Sequence, residues 1–234
     1  CSSDLTDMTA RLHAENLDLS WNNAERLLRV IGVALPAIPP DIVAVGLLGS
    51  SIASVIDFTR PVDIAFFGTN FDRFAVAIPI SVDMQPRLGK LFHLRMDRGL
   101  WRIERHSGDE EPEADMATGA LNACAFVGVE EESTARVVCA SDDVLLESTG
   151  LYLGRTVTHE PRDGDVRLEL TSSKLFAQMA DEAGDDKPKD WAQATGERHV
   201  VAFFRDIEHL SLVGSWGKTD IEAEAVLGFR SNMS

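Results

Sequence analysis

The chain has 234 residues, which is long enough for one large domain or for two smaller domains packed together. Its 44% hydrophobic and 26% charged residues are typical of a folded globular protein and exclude an intrinsically disordered chain. The net charge of −16 repels phosphate backbones and anionic lipid headgroups, so we expect no nucleic-acid partner.

The chain begins with Cys1, followed by small polar residues and without an initiator methionine. A cysteine in this setting resembles the first residue of a mature bacterial lipoprotein, where it carries the lipid. An end produced by trimming is the alternative. We expect residues 1–20 to be a polar lead-in or tether.

Residues 21–234 are predicted to form one large α+β domain, mainly an antiparallel sheet with several packing helices. A short repeat, Ala65-Phe66-Phe67 and Ala202-Phe203-Phe204, leaves open two similar halves at about 21–160 and 161–234, the second incomplete.

Two helices are predicted before residue 57. Residues 22–35 carry apolar side chains at helical spacing, and Asn22 or Asn23 would cap that helix. Residues 42–56 are uncharged but too few to span a bilayer. We interpret them as a buried core helix. The alternative is a surface that packs closely against another helix, because Gly46, Ser50 and Ser54 recur at spacing four.

Short apolar runs then predict a strand pair over 62–67 and 74–80, and a short helix follows at 85–91. A second hairpin is predicted over 92–96 and 100–103, with Gly99 in its tight turn.

Cys124 and Cys139 flank two further apolar runs joined by a glutamate-rich turn, which predicts a third hairpin. With the turn centred on residues 131 and 132, the two cysteines lie opposite one another, where a cross-strand disulfide would close the hairpin. Two buried free thiols are the alternative. A disulfide would indicate an oxidising compartment outside the cytoplasm.

The remaining chain alternates between helices and strands. A solvated acidic loop is predicted at 107–115, a helix at 142–153 capped by Ser141, and a strand at 166–170. Helices at 172–183 and from 191 toward 204 follow. The final strands, at 210–214 and 221–229, form a hairpin whose last strand is expected to place one face on the core and Glu222, Glu224 and Arg230 outward.

Motifs typical of catalysis fail on inspection. Gly217-Lys218-Thr219 resembles the end of a phosphate-binding loop, but that pattern requires glycine where Leu212 stands. Ser215 and Lys218 have the spacing found in penicillin-recognising enzymes, yet they fall in a predicted hairpin turn and lack the partner motifs.

Histidines and carboxylates also form no recognisable site. The histidines are scattered, with no pair at ligand spacing: His13, His93, His106, His159, His199 and His209. The acidic runs at 109–115 and 181–190 lack the ligand order of a calcium loop. We therefore predict no catalytic residue, no cofactor and no metal ligand.

The order of three segments carries a family resemblance: Pro61-Val62-Asp63-Ile64-Ala65, residues 74–80, and Ala135-Arg136-Val137-Val138-Cys139. This order resembles a group of exported proteins of unassigned function in myxobacteria and relatives. The likeness covers residues 20–230 as a pattern of elements. It implies export and full-length relatives longer than this chain, with residues 228–234 as an internal cut or a proteolytic end. It brings no activity and no site residues.

The function expected from these observations is a non-enzymatic binding or assembly module of the bacterial cell envelope, in the periplasm or on the outer membrane. A protein partner or envelope assembly is expected, with membrane attachment only through a lipid on Cys1. One alternative is a hydrolase or transferase with a site assembled from residues distant in sequence. Another is a structural subunit of a larger envelope complex, recognisable by an exposed apolar patch at 42–56 or on the final strand.

Overall fold

A computed structural model describes residues 8–30, 39–68, 73–104, 121, 123–128, 135–156, 164–171, 207–216 and 221–229. The strands in this part of the chain are β1 (Met8–Ala14), β2 (Val62–Phe67), β3 (Arg73–Pro79), β4 (His93–Asp97), β5 (Leu100–Glu104), β6 (Ala123–Val127), β7 (Arg136–Ala140), β8 (Val166–Leu170), β9 (Ile207–Trp216) and β10 (Ile221–Phe229). The α-helices are α1 (Leu17–Val30), α2 (Pro40–Leu48), α3 (Ser50–Ala53), α4 (Leu88–Leu91) and α5 (Asp143–Leu151). A 3₁₀ turn at Gln85–Arg87 precedes α4, and a π-helical turn at Tyr152–Thr156 follows α5.

All ten strands belong to one antiparallel sheet in the order β10-β9-β8-β1-β2-β3-β7-β6-β5-β4. The predicted α+β class with an antiparallel sheet is confirmed, and strands dominate it. The predicted pairings of β2 with β3, β4 with β5, β6 with β7, and β9 with β10 are also confirmed. The sheet continues across residue 160, because β8 pairs with β1.

The prediction of a polar lead-in over residues 1–20 is wrong for residues 8–20. Met8–Ala14 forms β1, which lies in the middle of the sheet between β2 and β8. Ala10 and Ala14 are buried on one face, while Arg11 and His13 are buried on the other. The segment looks polar because its second face is charged, and the partners that neutralise it lie far away in sequence.

The helix predicted at 22–35 begins earlier, at Leu17. Asn16 caps it in place of Asn22 or Asn23, since the Leu19 amide donates to Asn16 Oδ1 at 2.8 Å. The single helix predicted over 42–56 is two helices, because Gly49 has φ 86° and ends α2.

Both faces of the central sheet are covered by helices. One face packs against α2, α3 and α4, in a cluster that includes Leu48, Val55 and Phe126. The other packs against α5 through a surface rich in alanine: Ala65, Ala75, Ala77, Ala123, Ala125 and Ala140. Small side chains let α5 and the turn after it approach the sheet closely. The cap of α5 is Asp142 and not the predicted Ser141, because the Asp142 carboxylate accepts from the Leu145 amide at 2.7 Å.

The turn between β4 and β5 has the two-residue form expected from its glycine. Asp97 pairs with Leu100, and the two residues between them both have positive φ, 50° at Arg98 and 85° at Gly99. Positive φ at both central positions is the type I′ turn, whose twist matches that of the strands.

Several predictions fall outside the described residues. These are the acidic loop at 107–115, the helices at 172–183 and 191–204, Cys1 and the outward position of Arg230. Among the described helices, none is long and apolar enough to cross a membrane.

The close approach of the α5 side to the sheet predicts a large effect for one small substitution. A Cβ on Gly154 would lie 2.7 Å from the Cβ of Val127, so Gly154→Ala should lower the free energy of unfolding by about 1–3 kcal/mol. Gly46, in α2, has nothing within 4 Å of its added Cβ, so Gly46→Ala should raise that free energy by up to about 1 kcal/mol. Urea unfolding of both variants measures the difference, and equal effects would contradict this packing.

Candidate functional site

A buried charge cluster lies on the α5 face of the sheet and draws its side chains from β1, β2 and β7, with β3 between the last two. Asp63 of β2 is fully buried, and its carboxylate is 2.9 Å from Arg136 Nη2 and 3.4 Å from Arg11 Nη2. His13 places Nδ1 2.9 Å from the same carboxylate. Residues from three strands, up to 125 positions apart, therefore share one buried negative charge.

Arg136 ties this cluster to the backbone. Its Nη2 donates to the carbonyls of Pro61 and Ala77 at 2.7 and 2.9 Å, and its Nη1 donates to the carbonyl of Leu153 at 3.1 Å. The guanidinium thus satisfies three carbonyls besides pairing with Asp63. A planar group with five donors suits this position in a way that lysine does not.

His13 lies between two carboxylates. Its Nδ1 faces Asp63, and its Nε2 is 3.2 Å from Glu15 Oε1, which lies nearer the surface. Arg167 and Glu169 of β8 pair with His13 and Arg11 across the strands and form their own ion pair at 2.8 Å. Opposite charges alternate along this face, so the cluster neutralises itself.

The geometry of the cluster favours a structural role over catalysis. The His13 side chain is buried, and each ring nitrogen already faces a carboxylate. A catalytic base needs a nitrogen within hydrogen-bonding reach of a substrate, and this arrangement leaves neither one open. The cluster could not be predicted from the sequence, because its members lie in three strands whose register a single sequence leaves open. The charges at alternate positions of β1 were the only sign of it.

A pocket of about 470 Å³ opens next to α1. The described residues that line it are both polar and apolar: Asp18, Trp21, Asn22, Glu25, Pro39, Pro40, Asp41 and Phe58. The Leu17 amide donates to the Phe58 carbonyl at 3.0 Å and fixes the start of α1 beside that ring.

The β10 edge of the sheet is exposed and apolar. The expectation that β10 rests one face on the core is wrong: residues on both of its faces are exposed, including Val226 at 48%, Leu227 at 39% and Phe229 at 51%. Strict alternation predicts the strand correctly, but it does not reveal whether anything covers a face. Among the described strands, β10 pairs only with β9, so its outer side lacks a neighbouring strand in that part of the chain.

The opposite edge, β4, differs from β10. It has five residues where β10 has nine, and it presents the exposed His93 and Arg95. A short, charged strand is a common protection against unwanted pairing, and β10 has neither property to the same degree.

The segment at 42–56 lies against the core on one side only. The alternative of close packing against another helix at Gly46, Ser50 and Ser54 is wrong, because Gly46 and Ser54 are exposed. Ala44, Leu48, Ile52 and Val55 are buried in the core, whereas Ile42, Val43 and Val45 on α2 are exposed. Exposed apolar side chains therefore occur both on α2 and on β10.

The predicted disulfide is present. Cys124 of β6 and Cys139 of β7 pair directly across the strands and are joined Sγ to Sγ, with a Cα–Cα distance of 4.1 Å. A 15-residue separation corresponds to about 3 kcal/mol in the chain-entropy treatment of disulfides. Within the described ranges, no group of three or more histidines, cysteines or carboxylates is placed to hold a metal ion.

Comparison with protein families, with curated proteins and with solved structures finds no match to this chain.

The buried cluster predicts that one arginine matters far more than a surface arginine. Arg136→Met leaves the Asp63 charge with one guanidinium fewer and three carbonyls without their donor, so the free energy of unfolding should fall by about 3–5 kcal/mol. Arg95→Met removes an exposed pair with Glu104 and should cost about 0–1 kcal/mol. Urea unfolding monitored by circular dichroism compares them, and similar losses would refute a special role for the cluster.

Proposed function

We propose that this protein is an exported, non-enzymatic binding or assembly module that accepts an extended segment of a partner protein along β10. The observation that carries this proposal is the exposed nine-residue edge strand with apolar side chains on both of its faces. Strand addition to an open edge supplies main-chain hydrogen bonds for affinity, and alternate side chains supply specificity.

The charges on β10 specify the chemistry of the partner segment. Glu222 and Glu224 lie on one face, while Ala223, Ala225 and Leu227 lie on the other. A partner strand would match both faces of β10 if its basic residues lay beside the glutamates and its apolar residues lay on the face of the alanines and Leu227. The net charge of −16 disfavours a second copy of this chain as the occupant and favours a basic partner.

An envelope location is part of the proposal. The Cys124–Cys139 disulfide supports an oxidising compartment, since such bonds rarely persist in the cytosol. Attachment through a lipid on Cys1 is proposed from its sequence setting. A structural subunit of a larger envelope complex is the neighbouring candidate, and the exposed apolar residues of α2 favour it because they offer a second contact surface.

The alternative of a hydrolase or transferase requires a histidine and carboxylates that open to a substrate. The described lining of the pocket beside α1 has carboxylates without a histidine, whereas His13 is buried and both of its ring nitrogens face carboxylates. The histidine and the pocket carboxylates therefore lie at different places, and this separation supports the binding proposal over the enzymatic one.

Peptide binding tests the β10 proposal. A labelled nine-residue peptide in which lysine alternates with valine should bind the native chain in fluorescence anisotropy, and a glutamate–valine peptide should bind more weakly. Glu224→Lys should weaken binding of the lysine peptide several-fold and strengthen binding of the glutamate peptide, because it reverses the charge of one side chain on β10.

Asp83→Lys is the matched control, since it makes the same charge change at an exposed position away from β10. Equal weakening by the two variants would mean that the peptide senses only net charge. If the chain dimerises through β10 in sedimentation experiments and binds neither peptide, the occupant of this edge is a second copy of the chain and not a basic partner.

Intact-mass measurement tests the envelope proposal. Protein from its native membrane fraction should carry a lipid-sized mass increment on Cys1, and alkylation without reduction should label neither Cys124 nor Cys139. An unmodified Cys1 together with two labelled thiols would contradict export.

A further inference from the structure

The pocket beside α1 is built from two walls. One is a single face of α1, because Asp18, Trp21 and Glu25 follow one another at helical spacing. The other comprises the start of α2, at Pro39–Asp41, together with Phe58. The Leu17–Phe58 hydrogen bond holds the two walls together at their base.

The walls combine aromatic rings with negative charge. Trp21 and Phe58 are partly buried and supply the rings, while Asp18, Glu25 and Asp41 supply carboxylates. Among the lining residues that the structure describes, none is basic. Aromatic faces attract cations through their quadrupole, and carboxylates do so through their charge. Both components of the lining therefore select for positive charge.

The spread of the carboxylates distinguishes an organic cation from a metal ion. A calcium ion gathers six to eight oxygens at 2.3–2.6 Å, which requires its ligands to converge. In the described residues, no three carboxylates converge in that way. Carboxylates distributed around a cavity of about 470 Å³, with rings between them, suit a larger cation whose charge is spread or present at two ends.

We propose that this pocket binds a small organic cation of the alkylammonium class. The aromatic rings would contact the alkyl part and the face of an ammonium group, and Asp18 and Asp41 would pair with its charge from opposite walls. This site is separate from β10 and does not depend on the function proposed for that edge.

Calorimetric titration of the full chain tests the proposal with a matched pair of probes. Putrescine and 1,4-butanediol share a four-carbon chain but differ in charge, so putrescine should release or absorb heat on binding and butanediol should not. Asp41→Asn should weaken putrescine binding about tenfold, and Trp21→Leu should weaken it by a similar factor.

Asp83→Asn removes an equal charge at an exposed residue that is not among the described lining residues, and it should leave putrescine affinity unchanged. Circular dichroism verifies that each variant is folded. The proposal is overturned if native protein fails to bind putrescine, if butanediol binds equally well, or if Asp83→Asn weakens binding as much as Asp41→Asn. Tighter binding of magnesium chloride than of putrescine would also overturn it, by assigning the pocket to a metal ion.

Discussion

The buried carboxylate of Asp63 imposes the constraint on which much of this structure depends. An ionised group without water must be neutralised and hydrogen-bonded, and here the compensation comes from Arg11, His13 and Arg136. Those partners lie on β1 and β7, while Arg136 also reaches carbonyls of β3 and of the turn after α5. One charge therefore fixes the relative positions of four strands and of the layer that covers them.

Coverage of the sheet falls from its centre toward β10. The strands around Asp63 are packed between helices on both faces, whereas residues of β10 are exposed on both. Natural proteins usually protect a long edge strand with charge, proline or a bulge, because open backbone groups pair readily with other chains. The two glutamates of β10 place charge on only one of its faces. An edge with this character is the physical basis of our proposal that β10 recruits another protein.

The sequence predicts the local features of this fold and loses those that depend on distant residues. The hairpins, including the disulfide-closed pair with Cys124 opposite Cys139, were predicted because alternation and turn residues are adjacent in sequence. The position of β1 could not be predicted, because Arg11 and His13 look like surface residues until Asp63 is placed beside them. The exposure of β10 was also missed, since a two-residue period distinguishes two faces without identifying what lies against either.

The pocket shows the same division between local and distant information. Helical spacing in α1 places Asp18, Trp21 and Glu25 on one face, and this much is legible in the sequence. The opposing wall comes from Asp41, in the first turn of α2, and from Phe58, whose carbonyl accepts from the Leu17 amide. The position of such a wall depends on loop geometry. Loops lack the residue periodicity that makes helices and strands recognisable in a single sequence.

The central position of β1 has a consequence for the kinetics of folding. Its first neighbour, β2, is made some fifty residues later, but its second neighbour, β8, pairs Leu170 with Ala10. During synthesis β1 must remain half-paired until residues 166–170 emerge. Non-local pairing of this kind slows folding and prolongs the exposure of unpaired strand edges. A polypeptide kept unfolded until it has crossed a membrane would avoid that interval, because both neighbours of β1 would be available together.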